Sequence, residues 1–228
     1  MDESDASNQR HFVVLLGGEI RDVTAVGEIP RDSTVIAADS GLHLAEPLGL
    51  QVAAVVGDMD SVDPVALAAV EALGTQILRY SSDKDASDAE LALGHAATLG
   101  ATQIVVIAGR SDRLDHELGN FAVLFLEALR GCRVELRVAG ARVFPLDAHD
   151  GERSSLRIDC TSGDVVGVLP FGGDAHGVTT SGLHWALSEE TLAVNSSRGI
   201  SNRAVRDEVT VTLSSGRLLV TVTKASPS

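Results

Sequence analysis

Four short apolar runs constrain the fold more than any other feature of this chain. HFVVLLGG (His11–Gly18), STVIAADSG (Ser33–Gly41), QVAAVVGD (Gln51–Asp58) and QIVVIAG (Gln103–Gly109) are rich in β-branched residues and close on glycine or aspartate. Runs that are apolar at successive positions are predicted to be strands covered on both faces, as in a parallel sheet. Parallel strands need crossover segments, and the sequence between these runs has helical spacing. Asp63-Pro64 reads as an N-cap and first helical position, opening a helix to about Leu73. Ser87–Gly100 has helical periodicity and a glycine stop, and Leu114–Gly131 reads as a longer helix. The predicted class is α/β, an open, mostly parallel sheet flanked by helices.

The character changes after Asp147. Ala148–Ser155 is polar and reads as a linker, and beyond it only strand-like pieces occur: LRIDC, DVVGVLPF, HGVTTSG, LHWAL, EVTVTLSSG and RLLVTVTK. The last two are predicted to form a hairpin around Ser214-Ser215-Gly216. The expected organisation is an α/β domain over 1–147, followed by a smaller all-β, sandwich-like domain over 152–226. With 44% hydrophobic residues, the chain can bury a sizeable core. Its net charge of −14 argues against nucleic acid or an anionic membrane as partner. No run approaches the roughly 18 apolar residues of a membrane span. The opening MDESDASNQR does not resemble a signal peptide, so a cytoplasmic location with reduced thiols at Cys132 and Cys160 is expected.

Ligands of open parallel sheets bind beyond the carboxyl ends of the strands, and the acidic residues gather there. Asp39 follows VIAA, while Asp58 and Asp60 follow AAVV. On an extended chain, residues i and i+2 point the same way about 6.5 Å apart, which lets two carboxylates approach one hard cation. The same aspartates also fit as caps of the following turn and helix. Asp85 and Asp88 stand three apart where a helix begins, beside Lys84, one of only two lysines. Helix capping accounts for such carboxylates equally well; a lysine beside them suits a phosphate oxygen. Arg113, Asp115 and His116 open the third helix with Asn120 a turn later, where free N–H groups and a guanidinium favour phosphate. A solvated, capped helix start is the alternative. There is no G-x-x-x-x-G-K-[ST] loop, no G-x-G-x-x-G after a strand, no H-E-x-x-H and no G-x-S-x-G. What remains is a carboxylate-rich, metal-dependent phosphate site without a P-loop.

In order along the chain, ADSG, GDMDS, KDASDAELAL and RLDHELGN, then SGLHWAL and SSRGISN, resemble the motifs of the thiamine pyrophosphokinase family. The resemblance spans about Gly17 to Val222. It implies transfer of a pyrophosphoryl group from ATP to the hydroxyl of thiamine, with Mg2+ and a homodimer whose active site is shared between subunits. Carried over by motif, Asp58 and Asp60 would hold Mg2+ on the ATP phosphates, with Asp39 in support. Asp85 and Asp88 would complete the acidic ring or face the nucleophile. Lys84, Arg113, His116 and Asn120 would contact ATP, and Asp88 or Asp115 would take the alcohol proton. Trp185 would stack on thiamine, with Ser201 and Asn202 lining its pocket. Two departures stand out: Ser111-Asp112 replaces the glycine pair that usually precedes R-x-D-H, and Ser40 replaces the second glycine of A-D-G-G. They leave two other readings open, a metal-dependent phosphohydrolase of nucleotide-like substrates and a non-catalytic nucleotide- or thiamine-binding protein.

Overall fold

Each of the four apolar runs forms a strand. In chain order the elements up to residue 139 are β1 (His11–Leu16), β2 (Thr34–Ala38), β3 (Ala54–Gly57), α1 (Pro64–Ala72), β4 (Gln76–Arg79), α2 (Asp88–Thr98), β5 (Gln103–Ala108), α3 (Leu114–Ala122) and β6 (Arg133–Val138). The computed structural model describes residues 9–149 and 152–225, and the chain divides between Ala139 and Gly140 into two compact units.

In the first unit the strands run in the order β6-β5-β1-β2-β3-β4, and every pairing is parallel. The reason is legible in the side chains. Val13, Val14 and Leu15 of β1 are all fully buried, as are Val55 and Val56 of β3, so both faces of the sheet are covered. From α2, Ala92, Leu93 and Ala96 are buried at 0% exposure, and this helix lies against β1, β2 and β3. Both N-caps form as expected. The Asp63 carboxylate accepts from Val65 N at 2.9 Å, and Ser87 Oγ accepts from Glu90 N at 3.2 Å. The chain leaves β1 toward β2 on one side and reaches β5 on the other, so the order reverses beside β1. A crevice for ligand is expected at such a point, beyond the carboxyl ends of the strands.

The long third helix predicted over Leu114–Gly131 is not continuous. It ends at Ala122, and two short 3-10 turns follow, with Leu126 extended between them (φ −58, ψ 137). The break lets both Leu124 and Leu129 be buried, which outweighs the local preference for a longer helix.

The second unit contains β7 (Ala141–Ala148), β8 (Ser154–Asp159), β9 (Val165–Pro170), β10 (Ala175–Ser181), β11 (Glu190–Leu192), β12 (Asn202–Arg203), β13 (Glu208–Leu213) and β14 (Gly216–Thr223), with no α-helix among its described residues. Two antiparallel sheets, β12-β9-β14-β7 and β11-β10-β13-β8, share one core that includes Phe144, Ile158, Val168, Val178, Val211 and Val220. This is the expected sandwich. Residues 140–147, grouped with the α/β part in the sequence reading, belong to this unit, where β7 pairs with β14 along its whole length. The expected β13–β14 hairpin does not form. β13 pairs with β8 and β10, whereas β14 pairs with β7 and β9. Each strand carries an apolar face, Val209, Val211 and Leu213 on one and Leu218, Val220 and Val222 on the other. Placing them in opposite sheets turns both faces into one core. LHWAL is not a strand either; Leu183 makes one isolated bridge to Ala204, and the rest is a bend followed by irregular chain. Within the expected linker, Asp150 and Gly151 lie outside the described residues, as does Ser226 at the end of the expected β domain.

Candidate active site

The carboxyl ends of β1, β2, β3 and β5 surround a cavity of about 670 Å3. Of the residues singled out from sequence, Asp39, Asp58, Asp60, Asp88, Arg113, Asp115, His116 and Asn120 line it together. Asp85 does not; it is exposed, outside the cavity lining.

Carboxylate oxygens of Asp39, Asp58 and Asp60 lie within 4.8 Å of one another. The extended-chain spacing expected for the Asp58/Asp60 pair is not how they meet. β3 ends at Gly57, Met59 takes a left-handed φ of +66, and Asp60 N donates to Asp58 Oδ1 at 3.2 Å. A tight turn, not a strand, gathers the two side chains. Asp39 is also left-handed (φ +45), at the start of a 3-10 turn. Non-glycine residues in this region are strained, and here one of them carries a clustered acid and the other joins two. The absence of a side chain at Gly57 makes the cluster possible. A Cβ there would stand 3.0 Å from Asp88 Oδ1 and 3.1 Å from Asp39 Cβ.

Asp39 is 7% exposed, and its Oδ1 is buried with no hydrogen-bond partner. Burial pushes its carboxyl above the ordinary range; the Ser40 N–H pulls it back, while Asp88, Asp60 and Asp58 push it further up. Asp58 moves the other way. The Asp60 N–H and the Lys84 ammonium hold it low against its partial burial. The Lys84 ammonium sits 3.3 Å from Asp58 Oδ2 and 3.0 Å from Asp88 Oδ1. Asp88 Oδ1 makes no aligned hydrogen bond, so its contact with Lys84 is an ion pair in the strict sense. Burial works against the Lys84 charge, yet the two carboxylates outweigh it and raise its pKa. An all-oxygen donor set with one orphaned buried oxygen fits a hard divalent cation. Without such a cation the cluster repels itself. Asp39→Asn is therefore expected to raise metal-free stability by roughly 1 kcal/mol, read as a higher thermal midpoint in EDTA. A lower midpoint would show that the Asp39 charge is already compensated.

The opposite wall is the start of α3. Arg113 occupies the N-cap position without capping, and its guanidinium forks onto Asp115 at 2.6 and 3.3 Å. That hydrogen-bonded pair holds Asp115 below the ordinary carboxylate range. Both side chains are well over half exposed, so an arriving phosphate can take over the guanidinium. Ser111, one of the departures from the glycine pair, shapes this turn. Its N–H donates to Glu117 Oε1 at 3.0 Å and its Oγ accepts from Arg113 N at 3.0 Å. Asp112 is exposed and lines a neighbouring cavity of about 540 Å3 with Arg21 and Arg110. Sequence reasoning missed the serines Ser61, Ser82 and Ser87 and the glycines Gly17 and Gly18, all of which line the main cavity. Only the GG directly after the first strand was a usable signal.

Trp185, Ser201 and Asn202 lie in the second unit. Trp185 is 60% exposed, with the His184 ring edge-on at 4.7 Å. Asn202 is buried and spends its amide on the backbone: Oδ1 accepts from Trp185 N at 3.1 Å, and Nδ2 donates to Trp185 O at 2.8 Å. It fixes the tryptophan rather than presenting a free polar group. Ser201 is exposed, with φ +58.

Comparison with known proteins decides the family. The model described as thiamin pyrophosphokinase, catalytic domain, matches residues 28–136, and that of the thiamin pyrophosphokinase vitamin B1 binding domain matches 154–218. The chain belongs to the thiamin pyrophosphokinase family. Thiamine pyrophosphokinase of Bacillus subtilis (strain 168) is 24% identical over 187 residues, covering 81% of this chain and 85% of that one. Thiamine pyrophosphokinase 3 of Oryza sativa subsp. japonica is 29% identical over 161 residues, 68% of this chain but 59% of the rice protein. The fold agrees with the crystal structure of the Bacillus subtilis thiamine pyrophosphokinase (TM-score 0.79, 19% identity, 95% of this chain and 100% of that chain). It also agrees with thiamin pyrophosphokinase from Candida albicans (TM-score 0.76, 14% identity, 94% and 88%). Ser111 and Asp112 thus sit inside the catalytic-domain match and alter a loop of this family without removing its fold.

Proposed function

We propose that this chain transfers the pyrophosphoryl group of ATP to the hydroxyl of thiamine, giving thiamine diphosphate and AMP, with Mg2+ held by Asp58 and Asp60. The observation that carries this reading is the match of both thiamin pyrophosphokinase models in order, the catalytic one over the unit that holds the acidic cavity. The electrostatics favour a bound cation. Five carboxylates, of Asp39, Asp58, Asp60, Asp88 and Asp115, face a polyanionic substrate, and Lys84 and Arg113 offset only part of that charge. A bound Mg2+ supplies the missing positive charge and stabilises charge developing on the phosphates. The chain's own residues do the placing. Arg113 and the free N–H groups at the start of α3 receive phosphate oxygens, with His116 and Asn120 on the same wall. The alcohol attacks the β-phosphorus, its proton passes to a nearby carboxylate, and AMP leaves. Asp88 and Asp115 both line the cavity and are the candidates for that proton, Asp88 paired with Lys84 and Asp115 with Arg113.

Thiamine is assigned to the exposed face of Trp185, held in place by Asn202, with Ser201 beside it. A ring stacked on a cationic thiazolium adds about 0.5–2 kcal/mol. Saturating thiamine is expected to quench the fluorescence of this single tryptophan, and Trp185→Ala to raise the thiamine KM about tenfold with little change in the KM for ATP. An unchanged spectrum and KM would remove the stacking role. We further propose a homodimer with the site shared between subunits, acting in the cytoplasm; sedimentation should return a dimer mass, and a fully active monomer would overturn it. No helix among the described residues is long and apolar enough to cross a membrane.

The reaction itself is tested by incubation with ATP, Mg2+ and thiamine. AMP formed only when thiamine is present is expected. Phosphate release without thiamine would make the protein a phosphohydrolase, and tight nucleotide binding without turnover would make it a sensor.

A further inference from the structure

Lys84 lies in the loop between β4 and α2, and the resemblance assigns it to ATP. Its position points to a further role. It is not among the residues that line the cavity. Its side chain is 16% exposed and packs onto the carboxylates from outside the cavity lining, 3.3 Å from Asp58 Oδ2 and 3.0 Å from Asp88 Oδ1. Asp58 thereby spends both oxygens within the protein, Oδ1 on the Asp60 N–H and Oδ2 on Lys84. Asp88 is equally constrained, because its Oδ1 packs over Gly57 beside Asp39. One ammonium thus ties the turn after β3 to the first residue of α2, on the edge of a cluster whose innermost oxygen, Asp39 Oδ1, has no partner.

We propose that Lys84 is a resident counter-ion of the carboxylate cluster, a positioning residue that holds Asp58 and Asp88 in place without metal and sets how weakly the cluster binds a divalent cation. The inference rests on the metal reading above and deepens it. The charge count gives its direction. Asp39, Asp58, Asp60 and Asp88 carry four negative charges, and Lys84 returns one. A dication liganded by Asp58 feels the ammonium on the same carboxylate as a repulsive neighbour. Removing the ammonium therefore strengthens metal binding, while exposing the metal-free cluster to its own repulsion. A lysine that served only to hold a phosphate oxygen would have neither effect.

The test compares wild type, Lys84→Gln, Lys84→Arg and Asp58→Asn, all full-length and without nucleotide. Mg2+ affinity is measured by calorimetry and thermal midpoint with and without EDTA. Lys84→Gln is expected to bind Mg2+ about tenfold more tightly than wild type. Its midpoint should be lower in EDTA and should rise further on adding Mg2+. Lys84→Arg, which keeps the charge, should stay close to wild type in both readings. Equal or weaker Mg2+ binding by Lys84→Gln, or an unchanged midpoint in EDTA, would overturn the proposal. The Asp58→Asn control separates the two levels. If wild type binds Mg2+ and Asp58→Asn does not, the metal reading stands and only the role of Lys84 is decided by the glutamine variant. If Asp58→Asn binds as wild type does, or wild type binds none, the metal reading falls and takes this proposal with it.

Discussion

Asp58→Asn is expected to lower thiamine-dependent AMP formation by about a thousandfold or more, equivalent to roughly 4 kcal/mol of lost transition-state stabilisation. Asparagine keeps the size of the side chain and removes its charge. The change has three consequences at one point. The cluster loses one of the three carboxylates whose oxygens lie within 4.8 Å of one another. Lys84 loses its partner at 3.3 Å. The turn through Met59 still forms, because the side-chain oxygen can accept from Asp60 N as before. The fold should therefore survive, since Asp58 lies at the cavity wall and not in the apolar core. Circular dichroism should match wild type, and the thermal midpoint should move by only a few degrees. Asp60→Asn should behave alike. Substantial activity in both variants would remove these residues from the chemistry.

Gly109→Ala is expected to damage stability and site together. Gly109 follows β5 where the loop after β1 crosses it. Gly109 N donates to Gly17 O at 3.2 Å, and Glu19 and Arg110 exchange both backbone hydrogen bonds at 2.9 Å. A Cβ on Gly109 would lie 2.2 Å from Gly18 C, 2.4 Å from Gly18 O and 2.5 Å from Glu19 N. All three atoms are backbone, so no rotamer change relieves the contact. The reverse approach is closed too, because Gly18 is at φ +107 and a Cβ there would meet Gly109 and Arg110 backbone at 2.6–2.7 Å. The two loops must separate, and they carry Gly17, Gly18 and Ser111 of the cavity wall. A loss of about 3 kcal/mol, or about 10 °C in thermal midpoint, is expected, with a weaker nucleotide affinity. A variant with wild-type midpoint and wild-type KM for ATP would mean that this crossing is not rigid. Gly94→Ala is the matched control, because nothing lies within 4 Å of the Cβ it would add and Gly94 is not part of the cavity lining.

The sequence announced the parts of the fold that depend on continuous burial. β1, β2, β3 and β5 are apolar at successive positions because both faces of the sheet are covered there. The missed strands lack that mark. β4 is QILR, with both apolar residues only half buried, and β6 is RVELRV, alternating because Val134 and Leu136 are buried on one face while Arg133, Glu135 and Arg137 on the other are not. The hairpin expectation failed because a short turn between two alternating strands looks the same whether they pair or part. Only the second sheet, formed by strands distant in sequence, decides. In the site, residue types were legible and geometry was not. Asp58 and Asp60 were found from spacing, but the left-handed Met59 that brings them together has no sequence signature. Asp85 and Asp88 were indistinguishable as letters. In three dimensions the N-cap at Ser87 turns Asp88 toward Gly57 and leaves Asp85 in solvent.

The most direct measurement is a crystal structure of the wild-type protein with Mg2+ and a non-hydrolysable ATP analogue. One Mg2+ bridging Asp58 and Asp60 to phosphate oxygens, with Asp39 Oδ1 brought into its coordination or that of its waters, is the expected result. Phosphates bound away from these aspartates, with the carboxylates liganding no ion, would contradict it.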